Sequence, residues 1–130
     1  MKEMVYSSKR EKTILYEGLY ENRKFAIISL GTHPVAYVET TSNEPNDYND
    51  EYYNSVRVHG GLTFGDEPYW NDNDKTFYVG WDYAHYMDYA GYEMDFPEDL
   101  RTDGKRWTTE EIFEDVKSVI CQLNKLGGNQ

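Results

Sequence analysis

Residues 12–39, KTILYEGLYENRKFAIISLGTHPVAYVE, decide the fold. Lys12 to Tyr20 is rich in β-branched and aromatic residues, which suit a pleated, half-buried strand. Glu21-Asn22-Arg23 offers a turn, and Phe25-Ala-Ile-Ile-Ser-Leu30 follows as an apolar run of strand length, the make-up of a central strand. Pro34 keeps His33 out of helical geometry, so Gly31-Thr-His-Pro34 reads as a second turn. Val35-Ala-Tyr-Val-Glu39 then returns as a third strand. Three strands joined by short turns predict an antiparallel meander.

Working outward, Val56-Arg-Val-His59 alternates and reads as a fourth strand that breaks at Gly60-Gly61, after which Leu62 and Phe64 resume the alternation. Thr76-Phe-Tyr-Val-Gly-Trp81 is the fifth strand, with Phe77, Val79 and Trp81 on one face and Tyr78, Gly80 and Asp82 on the other. Residues 41–54 and 65–75 are acidic loops, and 83–106 has no clear period. The chain closes on a helix. Thr108-Thr-Glu-Glu111 fits a capping box, with Trp107 and Ile112 placed for a hydrophobic staple. Ile112, Phe113, Val116, Ile120 and Leu123 form an apolar stripe, and Gly127 is a natural stop. The stripe needs a partner, and the sheet supplies it. The expected architecture is α+β: an antiparallel sheet of about five strands with one C-terminal helix packed on it, as a single domain over residues 1–130.

Charge narrows the function classes. The 130 residues carry a formal net charge of -11. Between Glu39 and Asp103 the bases are Arg57, Lys75 and Arg101, whereas Lys2, Lys9, Arg10, Lys12, Arg23 and Lys24 gather near the N-terminus. Such a field repels nucleic acid and anionic membranes and attracts basic protein surfaces, so no direct nucleic-acid or membrane binding is expected. Disorder, the common fate of acidic chains, is opposed by 13 Tyr, 5 Phe and 3 Trp. The lone Cys121 cannot form an internal disulfide and reads as a small buried hydrophobe on the helix. The polar N-terminus lacks the apolar core of a secretory signal. A cytoplasmic setting is expected.

Two patches carry possible chemistry: His59-Gly60-Gly61-Leu62-Thr63-Phe64, and Gly80-Trp81-Asp82-Tyr83-Ala84-His85 with Asp88 behind it. Both follow a predicted strand, so His59, Asp82, His85 and Asp88 converge if those strands are neighbours. Two histidines and two carboxylates suit acid–base work or a divalent metal, and a glycine pair lets backbone N–H groups approach an anion such as phosphate. An architectural reading is equally concrete: Gly60-Gly61 as a tight bend, and Asp82 and His85 as turn residues that satisfy each other. The spacing matches no standard metal motif or phosphate loop. No cofactor and no catalytic residue is assigned, and a divalent metal stays open. Cys121 and His33 carry no sign of activation.

A third feature is the acidic, Tyr-rich surface formed by Asp47, Tyr48, Asp50, Glu51, Tyr52, Tyr53, Asp66, Glu67, Asp72 and Asp74. Carboxylates spaced along loops can imitate phosphates, and Tyr supplies flat contact area at low entropic cost. The alternative is a solvated face that keeps the protein soluble.

The blocks Gly31-Thr-His-Pro-Val-Ala-Tyr-Val-Glu39, His59-Gly-Gly-Leu-Thr-Phe64, Gly80-Trp-Asp-Tyr-Ala-His85 with Asp88, and Trp107-Thr-Thr-Glu-Glu111 resemble a group of small bacteriophage and prophage proteins of Gram-positive bacteria. The resemblance spans most of the chain in scattered blocks and implies a mobile-element setting without a settled activity. Members of that group often have Cys where this chain has Tyr83, so a thiol role at that position is absent here. By analogy with that setting, the leading expectation is a counter-defence, anti-CRISPR-like inhibitor. It would bind a host defence protein, such as an RNA-guided nuclease, through the acidic surface. A second reading has His59, Gly60, Gly61, Asp82, His85 and Asp88 capture or cleave a phosphorylated nucleotide signal. A third is a non-catalytic phage adaptor.

Overall fold

The computed structural model describes residues 1–85, 87–101 and 104–127. Five strands form one antiparallel sheet: β1 (Thr13–Tyr20), β2 (Arg23–Ser29), β3 (Pro34–Glu39), β4 (Phe64–Asp66) and β5 (Tyr78–Asp82), in the order β1-β2-β3-β5-β4. One helix, α1 (Thr109–Leu126), packs on β1, β2 and β3. This is the α+β arrangement that the sequence predicts.

The meander forms as its residues require. Tyr20 faces Arg23 across a two-residue turn whose members, Glu21 and Asn22, have φ of 47° and 67°. A left-handed pair matches the twist of the strands it joins, and Asn tolerates that conformation well. β2 is buried on both faces. Phe25 and Ile27 join the helix-side core with Ala36, Val38, Val79 and Trp81, while Ala26 and Ile28 join Val35 on the far face. There Tyr37, Phe64 and Trp70 close a smaller second cluster.

The helix seals the larger core with Ile112, Val116, Val119, Ile120 and Leu123, all fully buried. Burial contributes about 1.5–3 kcal/mol for each large aliphatic side chain. The capping box forms: Thr108 Oγ1 accepts from the Glu111 N–H at 3.2 Å, and Glu111 Oε1 accepts from the Thr108 N–H at 3.0 Å. A cap of this type is worth about 1 kcal/mol. Residues 1–11 are not a strand but are tied down at several points. The Lys2 N–H donates to Leu15 O at 2.7 Å and the Ser7 N–H to Gly31 O at 2.9 Å. The Thr109 hydroxyl donates to Lys2 O at 2.6 Å, and the Tyr6 hydroxyl to Trp107 O at 3.0 Å.

Three expectations need correction. Residues 56–59 are not a strand, although Val56 and Val58 do face the core while Arg57 is exposed. The Arg57 backbone pairs with a side chain of α1: its N–H donates to Gln122 Oε1 at 2.7 Å and its carbonyl accepts from Gln122 Nε2 at 2.8 Å. An amide side chain thus replaces a neighbouring strand, and Phe64–Asp66 takes the sheet position beside β5. Strand β5 begins at Tyr78, two residues later than expected, and continues to Asp82. Cys121 is exposed, not buried, because the stripe turns Ile120 and Leu123 inward and leaves position 121 on the solvent side. Among the described residues, no helix is long and apolar enough to cross a membrane.

Candidate functional site

His59, Asp82, His85 and Asp88 meet at one end of the sheet, where β5 ends at Asp82, beside Trp107 at the approach to α1. Asp88 is the hub. Its carboxylate, only 2 % exposed, accepts from His59 Nε2 at 2.7 Å, from the His85 backbone N–H at 3.0 Å and from Trp107 Nε1 at 2.9 Å. A buried carboxylate persists only when its lone pairs are taken up in this way. An ionised carboxylate only accepts, so against it His59 bonds as the tautomer that carries its hydrogen on Nε2.

The residues that follow β5 are braced from both sides. The Tyr83 N–H donates to Pro34 O at 3.1 Å, and a short parallel bridge pairs Asp88 with Lys105. Gly104 is obligatory at that approach, since a Cβ there would lie 2.5 Å from the Asp88 carbonyl carbon. Met87, just before the hub, has φ of 76°, a left-handed conformation that is costly for a residue with a side chain.

The His59 ring is fixed by aromatic neighbours. It stacks on Tyr83 with centroids 5.1 Å apart and planes 4° from parallel, and it packs against Trp107 at 4.8 Å. Tyr83 is fully buried. Its hydroxyl accepts from Trp81 Nε1 at 2.9 Å and donates to Asp115 Oδ2 at 2.6 Å. Burial, reinforced by Asp115, pushes the Tyr83 phenol far above its usual range, so it is a neutral donor. A relay thus runs from the core tryptophan through Tyr83 to α1, with the site histidine resting on its face.

The second histidine sits opposite. The His59 and His85 ring centroids are 5.7 Å apart. His85 Nε2 lies 3.1 Å from Asp82 Oδ1, near enough to pair with it when protonated. That approach is off the line of a hydrogen bond, and His85 Nε2 and Thr63 Oγ1 are the buried side-chain polar atoms left without one among the described residues. Asp82 also accepts from the Ala84 N–H at 3.2 Å, so the turn-residue reading holds for part of its work. Gly60 makes the seat for His85: with φ of 71°, its missing Cβ would fall 2.2 Å from His85 Nε2. Gly61, at φ of 77°, has nothing within 4 Å of that position.

Reasoning from sequence missed three partners. Trp107, expected as a staple, is also the donor that locks Asp88. Asp115, outside the apolar stripe of α1, accepts the Tyr83 hydroxyl and carries no local sequence signal of that role. His33 was read as a turn residue, yet it lies close enough to feel the site. Burial lowers its basicity, Asp82 pulls the other way, and Arg10 lowers it further. Cationic groups rim the cluster as well. Lys105 Nζ sits 3.9 Å over the Trp107 ring and the Arg106 guanidinium 4.2 Å over Tyr89. Among the described residues, no three His, Cys, Asp or Glu side chains are arranged to hold a metal ion. Just beyond the cluster, Met87, Tyr92, Met94, Phe96 and Leu100 are exposed apolar side chains in the stretch whose period the sequence did not reveal.

The acidic, Tyr-rich surface is less uniform than its composition suggests. Asp47, Glu51, Asp66, Glu67 and Asp72 are exposed. Asp50 caps the 3₁₀ turn Glu51–Tyr53 by accepting from the Tyr52 N–H at 2.8 Å. Tyr53 is a core residue whose hydroxyl donates to Pro45 O at 2.7 Å, and Tyr48 and Tyr52 pack partly against that core. Asp74 accepts from the Tyr78 hydroxyl at 2.7 Å and from the Thr76 N–H at 2.9 Å. Burial alone would raise its carboxyl, but the Thr76 N–H, the Tyr78 hydroxyl and Lys24 together draw it down to about 2. Nearby Glu44 is buried in a two-bond pair with Arg23, at 2.7 and 2.9 Å, and adds little to the outer field. The two loops are also anchored apart, Tyr48 and Tyr52 on the helix-side core and Trp70 on the far-face cluster. Comparison with known proteins finds no family model, no curated protein and no solved structure that matches this chain.

Proposed function

We propose that this protein is a phage-type counter-defence factor that captures a small phosphorylated nucleotide at the His59–Asp88 and His85–Asp82 cluster. One observation carries the reading: His59, Gly60, Asp82, His85, Asp88 and Trp107, from separate segments of the chain, converge on one site with a seat carved for His85 at Gly60. Two imidazoles offer hydrogen bonds to phosphoryl oxygens, and the Arg106 guanidinium, with Lys105 paired to Glu111 Oε2 at 2.9 Å beside it, lies at the edge of the cluster. The mobile-element setting rests on the resemblance in the four sequence blocks and is part of the proposal.

The test is direct. Protein isolated from host cells with the defence system active is heat-denatured, and the filtrate is analysed by mass spectrometry. A phosphorylated nucleotide is expected from wild type and not from His59→Ala or Asp82→Ala. If both variants release the same molecule at wild-type level, the site assignment is wrong.

A second reading keeps its own support. Asp47, Glu51, Asp66, Glu67 and Asp72 are exposed in a chain of net charge -11, which favours a basic protein partner. On that reading a host nucleic-acid enzyme co-purifies at low salt and elutes at high salt. Reversing Asp47 and Glu51 would then weaken inhibition while leaving the histidine cluster intact.

A further inference from the structure

We propose that residues 92–100 form a docking surface for a partner protein that presents apolar side chains flanked by Lys or Arg. This stretch is separate from the acidic loops, and the inference does not depend on nucleotide capture.

The polarity of the segment is inside out. Tyr92, Met94, Phe96 and Leu100 are 44, 39, 46 and 65 % exposed, whereas Glu93, between the first two, is 6 % exposed. Burial favours apolar side chains and penalises a carboxylate, so packing within this chain alone would favour the reverse. An exposed apolar side chain standing singly needs no explanation. Several gathered in one short stretch mark a surface that something else covers.

The stretch is also built to hold its shape. At its root the Gly91 N–H donates to Thr32 O at 2.6 Å, and a Cβ on Gly91 would run into Ser7 O. Two 3₁₀ turns follow, Gly91–Asp95 and Glu98–Leu100. The Phe96 N–H donates to Glu93 O at 3.0 Å and the Leu100 N–H to Pro97 O at 2.8 Å. The Arg101 guanidinium ties the far end back, donating to Phe96 O at 3.0 Å and to Met94 O at 3.1 Å. A surface held in this way loses little freedom when a partner arrives.

Charge selects the partner. Asp95, Glu98 and Asp99 are exposed among the apolar side chains, and none is in an ion pair among the described residues. Arg101 is turned to backbone carbonyls instead. Apolar anchors edged with carboxylates complement apolar anchors edged with bases. A second copy of this chain would set carboxylate against carboxylate at a net charge of -11 per chain, and an anionic membrane would be repelled for the same reason.

The probe is a short helical peptide of Leu and Lys with its Leu on one face. Its controls are the same residues in scrambled order and a version with Glu in place of Lys. The labelled methyl of Met94 reports from the segment by NMR, and Met1, exposed beside the Lys2–Leu15 contact, serves as the reference. The Leu/Lys peptide is expected to shift Met94 and leave Met1 in place, with binding that weakens in high salt, while the Leu/Glu peptide does not bind. Phe96→Ser and Leu100→Ser, with wild-type melting curves, should each weaken binding by about tenfold or more. Asp95→Lys combined with Glu98→Lys should weaken it more than Asp47→Lys combined with Glu51→Lys. No shift at Met94, equal shifts at Met94 and Met1, or equal affinity for the scrambled peptide overturns the inference. So does a Met94 shift that appears with the protein's own concentration alongside a dimer in sedimentation, which assigns the surface to a second copy. Binding to uncharged phosphatidylcholine vesicles through Phe96 and Leu100 would assign it to a lipid surface and overturn it as well.

Discussion

Replacing Gly60 by Ala, with Gly61→Ala as its twin, separates the backbone strain of this bend from its role as a seat. Both glycines are left-handed, with φ of 71° and 77°. An alanine in that conformation costs about 1–2 kcal/mol wherever it stands. At Gly61 that is the whole penalty, because a Cβ meets nothing within 4 Å. At Gly60 the Cβ arrives 2.2 Å from His85 Nε2 and 2.4 Å from His85 Cδ2, so the ring must leave its place. Crowding of this kind adds about 1–3 kcal/mol. The pair should therefore differ by about 1–3 kcal/mol in urea unfolding, with Gly60→Ala the weaker protein. In thermal melts this corresponds to roughly 4 °C per kcal/mol at this chain length. The histidine ring resonances in NMR give the local readout: those of His85 shift in Gly60→Ala and hold in Gly61→Ala. Equal losses in the two variants, with His85 unmoved in both, would refute the claim that Gly60 exists to seat that ring.

Other perturbations follow from the same contacts. Asp88→Asn presents an amide where His59, the His85 N–H and Trp107 all need an acceptor, and should cost about 3–5 kcal/mol in denaturant unfolding; a loss under 1 kcal/mol would mean the hub is dispensable. Tyr83→Phe strands the buried Trp81 N–H and should cost about 1–3 kcal/mol, with little further loss when Asp115→Asn is added, since both cut the same relay. Asp74 is held below its ordinary value, so its contribution is full above about pH 4 and drains away as pH falls toward 2. Asp74→Asn should therefore flatten the acid limb of the stability curve between those values, measured by melts across pH. Cys121, being exposed, should react with a thiol reagent in the native protein as fast as in urea, and protection until unfolding would contradict its position.

What the sequence made legible was whatever a local period could encode. The meander over 12–39 and the capped helix each announce themselves within a short window, through unbroken apolar runs, a turn tripeptide and a capping box. The convergence of His59, Asp82, His85 and Asp88 was anticipated for a partly mistaken reason. His59 does not end a strand; it is held by Asp88 and by stacking on Tyr83. Alternation in Val56-Arg57-Val58 was real burial, but periodicity cannot say whether the backbone bonds a strand or, as here, the side chain of Gln122. The bond from Trp107 to Asp88 and that from Tyr83 to Asp115 stayed invisible because each joins residues far apart in sequence. The acidic surface failed differently: composition counted Tyr53 and Asp74 as outward-facing, and only packing reveals which carboxylates and phenols are spent inside.

The tie between the N-terminal arm and the start of α1 sets the order in which this molecule can be completed. The Thr109–Lys2 and Tyr6–Trp107 bonds join residues 107 and 101 positions apart in the chain. Contacts that distant slow folding, since loop closure must precede any reward. On the ribosome the meander can pair early and the arm can bond Leu15 and Gly31, but its ties to Trp107 and Thr109 must wait until the helix has emerged. Trp107 cannot reach Asp88 before then either, so the histidine pair is the last region to take shape during synthesis. Nascent chains stalled before residue 107 should resist protease across the sheet less well than the finished protein, and should show no fixed His59 environment at all.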